Sequence, residues 1–327
     1  MENLTDEEKY ADDLNSLASE VSKTIVGQKK LVDSIILSLL SNGHILIEGA
    51  PGLAKTLAVK SFAKAVDGSW SRIQFTPDLV PSDLVGSRIW STNTSSFSTE
   101  KGPIFANFLL ADEVNRAPAK VQSALLESME ERHVTIGKET LDLPKPFLVL
   151  ATQNPIESEG TFQLPEAQLD RFLIKIKVNY PNFDAELEIV RRFITNDFQT
   201  SQTLTSERVL ELQKARSAIR IPRSVAEYIV NIVQATRNLD KVGDGSFSTY
   251  VSYGAGPRGT LALVTVSQAK ALLNGRRSVT TLDVKEAAEL VLGHRLILSY
   301  EGFNEGITEE SIINFILDTI TEPAPGA

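Results

Sequence analysis

Short unbroken apolar runs, each closing on polar residues, recur through the first half of the chain. They are HILIE (44–48), ahead of a glycine-rich loop; Phe108-Leu-Leu-Ala111, ending in Asp112-Glu113; and Phe147-Leu-Val-Leu-Ala151, ending in Thr152-Gln-Asn154. A run without polar alternation predicts a strand covered on both faces, the habit of parallel strands. Between the second and third runs, Val121, Ala124, Leu125 and Met129 keep helical spacing. TLAVKSFAKAV, residues 56–66, predicts another helix, stopped at Asp67-Gly68. This βαβ alternation predicts an α/β fold, a parallel sheet flanked by helices. Two segments break the rhythm, SRIWSTNTSSFSTEKG (87–102) and HVTIGKETLDL (133–143). Both read as inserted hairpins, or as plain surface connections. Beyond about residue 179, marked by Pro181, helical stretches alternate with short polar joints and no strand-like alternation returns. The expected domains are therefore an α/β domain over 1–179, a smaller all-helical domain over 180–320, and a frayed tail over 321–327.

Composition narrows the chemistry. The 327 residues, 42% hydrophobic and 23% charged, are those of a globular protein with room for two domains. A net charge of -9 argues against extended contact with nucleic acid, which needs Lys and Arg to displace counterions. With no cysteine, disulfides, thiolate catalysis and Cys-ligated metals are excluded. His44, His133 and His294 are scattered without ligand spacing. The N-terminus is acidic and polar, unlike a signal peptide, and no apolar run approaches the roughly 20 residues that span a bilayer, so a cytoplasmic protein is expected.

The strand ends carry the candidate chemistry. GAPGLAKT, 49–56, follows the first apolar run and departs from the phosphate-binding pattern G-x-x-x-x-G-K-[ST] only at Ala54. In such a loop, backbone N–H groups at a helix start face phosphate oxygens, a lysine (Lys55) adds a point charge, and a hydroxyl (Thr56) meets Mg²⁺. Gly49 and Gly52 remain for positions that need glycine, and Ala54 is tolerable there if its φ is negative and its Cβ points away from the phosphates. Asp112, at the end of a parallel strand, can hold the Mg²⁺ shell, and Glu113 can polarise a water. Asn154 can hold that water, or simply mark a turn before Pro155.

With these parts in place the sequence resembles the MoxR branch of the AAA+ ATPases. The matching stretches are IVGQ (25–28), GAPGLAKT (49–56), RIQFTPDLVPSDLVG (72–86), GPIFANFLLADEVNRAPAKVQSALLESMEE (102–131), LVLATQNPIESEGTFQLPEAQLDRF (148–172) and GAGPR (254–258). They cover nearly all of the α/β part. The resemblance implies a P-loop core with a helical lid, and an ATP- and Mg²⁺-dependent ATPase in which Ala54 is the family's own variant. It implies that Gly49, Ala50, Pro51, Gly52, Leu53, Ala54, Lys55 and Thr56 form the Walker A loop, Asp112 and Glu113 the Walker B pair, and Asn154 sensor 1. Thr56 and Asp112 would hold Mg²⁺. Arg171 resembles an arginine finger reaching a neighbouring subunit's nucleotide, and Arg258 a sensor 2 arginine acting on its own nucleotide or a neighbour's. Val26 and Gly27 would back the adenine, and the two hairpins match the helix-2 insert and pre-sensor 1 hairpin. The implied partners are copies of itself, in a ring expected to be a hexamer, and client proteins with von Willebrand factor A domains. A nucleotide-gated scaffold with little turnover, a chelatase-like subunit and a DNA motor stay open as alternatives.

Overall fold

A computed structural model of the chain describes residues 5–50, 53–92, 95–154, 162, 164–195 and 199–324. Contacts divide it into two units: Asn15–Phe172 with Ile176–Glu211, and Met1–Leu14 with Leu173–Lys175 and Leu212–Ala327. Helices α1 (Asp6–Thr24) and α2 (Lys29–Leu40) precede strand β1 (Ile45–Glu48). There follow α3 (Lys55–Ala65), β2 (Trp70–Gln74), α4 (Pro81–Val85), and a hairpin of β3 (Gly86–Ser91) and β4 (Ser96–Lys101). Strand β5 (Phe108–Asp112) leads to α5 (Ala119–Glu131), and β6 (His133–Ile136) pairs with β7 (Glu139–Asp142). Then come β8 (Leu148–Gln153), α6 (Glu166–Leu169), β9 (Ile174–Lys177) and α7 (Phe183–Thr195).

The sheet order is β2-β5-β8-β1-β9, with β2, β5, β8 and β1 pairing in parallel. Every residue of β5 from Phe108 to Ala111 and of β8 from Leu148 to Ala151 is fully buried, which is why these runs lack alternation. Each such Leu, Val or Phe side chain contributes about 1.5–3 kcal/mol by leaving water. Leu109, Ala111, Val149 and Ala151 face one core shared with Val121, Leu125 and Met129 of α5. Helix α3 ends as expected at Asp67-Gly68: the Gly68 N–H donates to the Ala63 carbonyl at 2.8 Å. The left-handed residue there is Asp67 (φ 51) rather than the glycine.

Both inserted segments are two-stranded hairpins, tied to each other by the Thr99 hydroxyl donating to Glu139 at 2.8 Å. In the second, the turn falls at Gly137, whose φ of 66 suits glycine. His44 is a buried structural histidine. Its Nδ1 accepts the Val149 N–H at 2.9 Å, so in the neutral ring Nε2 carries the proton and donates to the Met129 carbonyl at 3.1 Å. Burial holds its pKa well below the ordinary histidine range, and the Arg132 charge adds to that.

The second unit is built on α8 (Ser206–Ala218, of which Leu212 onward belongs here), α9 (Arg223–Ala235), α10 (Pro257–Leu273), α11 (Thr281–Leu292), α12 (Tyr300–Asn304) and α13 (Glu309–Thr319). The Arg276 guanidinium pairs with both oxygens of the buried Asp283, which also accepts the Thr280 N–H and so caps α11. The expected all-helical character needs one correction. A two-stranded antiparallel ribbon joins β10 (Val251–Tyr253) to β11 (Ile297–Leu298). Strands of three and two residues, far apart in sequence, are too short to show a period of two.

Candidate functional site

The register brings the carboxyl ends of four strands into line. Gln74 lies beside Asp112, Ala111 beside Ala151, and Ile47 beside Thr152. The loops leaving these ends open onto one crevice, where parallel sheets bind ligands. It is a cleft of 380 Å³ lined by Gly49, Leu53, Ala54, Lys55, Thr56, Leu57, Arg72, Gln74, Asp112, Glu113 and Asn154. Stretches far apart in sequence thus converge on one volume of the size that takes a small-molecule ligand.

Lys55 opens α3, and its ammonium donates to the Gly49 carbonyl at 2.7 Å. Burial lowers its pKa, while the facing charges of Asp112 and Glu113 work against that fall. The N-cap residue of α3, Ala54, has no side chain that could cap the helix, which leaves the N–H groups of the first turn to an anion. The condition of a negative φ at Ala54 is not met. Ala54 is left-handed, with φ 56 and ψ 17. Its Cβ crowds the following carbonyl at a cost of about 1–2 kcal/mol, a conformation that glycine would adopt without that cost. The chain turns from loop to helix at this one residue, and the turn fixes φ whatever the side chain.

Glu113 is also left-handed, with φ 58 and ψ 51. Two strained non-glycine residues therefore line the same cleft, a clustering typical of functional sites. The Glu113 N–H donates to the Thr152 hydroxyl at 2.8 Å, and that hydroxyl donates to Asp112 Oδ1 at 2.6 Å. Asp112 Oδ2 accepts from Arg72 at 2.7 Å. The Glu113 carboxylate accepts from Gln74 at 2.7 Å and from Arg116 at 3.0 Å. Asn154, 7% exposed, sits at the end of β8 on the same cleft.

Other sequence candidates lie elsewhere. Val26 and Gly27 form the turn before α2 and do not line this cleft; Gly27 (φ 72) packs so closely on Ala185 that a Cβ would meet that side chain at 2.5 Å. Ala50 is buried beside the cleft and is not among its lining residues. Pro51 and Gly52 lie outside the described residues. Arg171 lines a separate cleft of 260 Å³ with Glu127, Glu130, Glu131 and Gln168, and pairs with Glu130 at 3.0 Å. Arg258 is exposed on the first turn of α10 in the second unit. Arg72, Gln74, Arg116 and Thr152 went unread in the sequence. A period of two puts Arg72 and Gln74 on one face of β2, yet nothing in the sequence says that β2 neighbours β5.

The donor set fits a nucleotide with its cation. Mg²⁺ takes hard oxygens and commonly one or two carboxylates together with phosphate oxygens. The Thr56 hydroxyl and the Asp112 carboxylate supply such donors beside an ammonium and an uncapped helix start. Among the described residues no group of three or more His, Cys, Asp or Glu could hold a metal by itself, so a cation here would rely on the ligand's own oxygens.

Comparison with known proteins identifies the fold. Residues 44–174 match the ATPase family associated with various cellular activities (AAA), and residues 246–316 match the AAA lid domain. The fold is that of an AAA ATPase domain followed by an AAA lid domain. The chaperone MoxR1 of Mycobacterium tuberculosis is 49% identical over 308 residues, 94% of this chain and 82% of that one. The uncharacterised protein YeaC of Bacillus subtilis is 40% identical, over 96% of this chain and 97% of its own. The crystal structure of an ATPase candidate from Cytophaga hutchinsonii superposes with a TM-score of 0.92 at 45% identity, covering 97% of both chains. This chain belongs to the MoxR family of AAA+ ATPases.

Proposed function

We propose that the chain binds ATP with Mg²⁺ in the Lys55 cleft, hydrolyses it, and uses the cycle to remodel partner proteins. The observation that carries this is the convergence of Lys55, Thr56, Asp112, Glu113 and Asn154 on one cleft. Phosphoryl transfer asks the protein for alignment and charge stabilisation rather than covalent chemistry. Lys55 and the α3 amides would neutralise the phosphates, and Thr56 and Asp112 would hold the cation, which when bound offsets charge on the phosphate oxygens. Glu113 would polarise the attacking water and Asn154 would hold it. Arg171 stands at a different surface, and we assign it to a neighbouring protomer's nucleotide, in a ring we take to be a hexamer. From the family resemblance we assign Arg258 the part of a sensor 2 arginine, for its own nucleotide or a neighbour's.

The remodelling role rests on the name of the mycobacterial relative, a chaperone. From the family resemblance we place proteins with von Willebrand factor A domains among the clients. The test is steady-state phosphate release from ATP. The parent is expected to require Mg²⁺ and to speed up when a true client is added, while Lys55→Ala falls to background. Equal release by parent and Lys55→Ala would refute the assignment of this cleft.

A further inference from the structure

We propose that Thr152 is the positioning residue that assigns Asp112 and Glu113 their separate tasks, one toward the cation and one toward water. The inference rests on the ATPase reading of the cleft. Thr152 is fully buried near the end of β8, one residue past the Ala111–Ala151 pair, and is hydrogen-bonded to Asp112 on the neighbouring strand. Its hydroxyl has a single proton, and the structure fixes where that proton goes. An amide N–H can only donate, so Thr152 Oγ1 must accept from Glu113 N at 2.8 Å. The hydroxyl proton is then committed to Asp112 Oδ1, at 2.6 Å.

Both ends of this bridge matter. At Asp112 it ties Oδ1 back against the sheet and leaves Oδ2 as the oxygen that meets a cation, as it already does with the Arg72 guanidinium at 2.7 Å. At Glu113 it anchors the N–H of a residue held at φ 58, a conformation that needs support from its surroundings. The side chain of Glu113 departs from that anchored backbone into the cleft. One hydroxyl therefore sets the carboxylate orientation of one residue and the backbone of the next. Thr152 touches neither ligand nor water in this scheme. It acts through its two neighbours, as outer-shell partners of metal ligands do.

The experiment compares Thr152→Val, which keeps the shape and loses the hydroxyl, with Thr152→Ser, which keeps the hydroxyl. Affinity for a fluorescent ATP analogue is measured first in EDTA and then across a Mg²⁺ titration, and phosphate release is measured at saturating Mg²⁺. In EDTA all three proteins are expected to bind alike, because the phosphate cradle is untouched. For Thr152→Val the half-saturating Mg²⁺ is expected to rise about tenfold and turnover to fall about tenfold or more, effects typical of outer-shell changes. Thr152→Ser is expected to stay within about threefold of the parent, since the hydroxyl is what carries the effect. If Thr152→Val does not fold by thermal melt, Thr152→Ala replaces it as the hydroxyl-free variant.

A hydroxyl-free variant with parental Mg²⁺ dependence and turnover would overturn the inference. So would a serine variant as impaired as valine, since shape rather than the hydroxyl would then be decisive. A parent that binds no nucleotide would sink the ATPase reading and this inference together. A parent that turns over ATP beside an unaffected valine variant sinks only this one.

Discussion

Glu113→Gln is expected to bind MgATP about as tightly as the parent and to release phosphate at least about 100-fold more slowly, the usual contribution of a positioned general base. The substitution keeps the shape and the left-handed backbone but removes the negative charge that would draw a proton from water. Gln74 and Arg116, which both donate to the Glu113 carboxylate, can still donate to the amide oxygen. The cradle is left alone, because Lys55 and Thr56 arrive from a different segment. Fluorescent-nucleotide binding and phosphate release, measured on the same preparation, separate the two effects. Turnover equal to the parent would remove Glu113 from its proposed role. A variant that also loses ATP would show that this carboxylate serves binding. The same protein, held in the ATP state, is the natural bait for clients.

The second large effect concerns Arg171. In the structure this arginine pairs with Glu130 in an acidic cleft, apart from the residues around Lys55. An arginine supplied across an interface contributes about 10³-fold or more to phosphoryl transfer. Arg171→Ala and Lys55→Ala are each expected to be nearly inactive alone. Mixed in equal amounts and allowed to exchange, they should recover activity. An interface works when an Arg171→Ala protomer brings the intact cradle and a Lys55→Ala protomer brings the intact arginine. Random mixing of heterologous contacts makes about a quarter of interfaces of that kind. Phosphate release approaching that fraction of the parental rate supports action across the interface. No recovery from a mixture shown to co-assemble would refute it.

Much of the α/β core was legible because burial on both faces leaves an unmistakable trace in sequence. Phe108–Ala111 and Phe147–Ala151 read as interior strands, and the observed strands are Phe108–Asp112 and Leu148–Gln153, buried throughout the shared residues. Turn chemistry was legible too: the second hairpin closes at Gly137 and α3 stops at Asp67-Gly68. The site was readable as far as each strand-end motif carried its own chemistry, as with Lys55, Asp112 and Asn154. The unread part depends on neighbours in space. Thr152 looks like an ordinary strand-end threonine until β8 lies beside β5, and Arg72 and Gln74 mean little until β2 lies on the other side. Ala54 shows a different limit. Residue type gives a preference for φ, but the turn into α3 imposes its own, and the preference loses by a kcal/mol or so. The short ribbon of β10 and β11 was invisible because so few residues cannot establish a period.

The most direct test of the whole account is a structure of the assembled protein with a non-hydrolysable ATP analogue and Mg²⁺. Triphosphate density is expected between the start of α3 and Asp112, with Lys55 released from the Gly49 carbonyl and Arg171 of an adjacent protomer at the terminal phosphate. A cleft left vacant at saturating analogue, or an analogue bound away from Lys55, would contradict it.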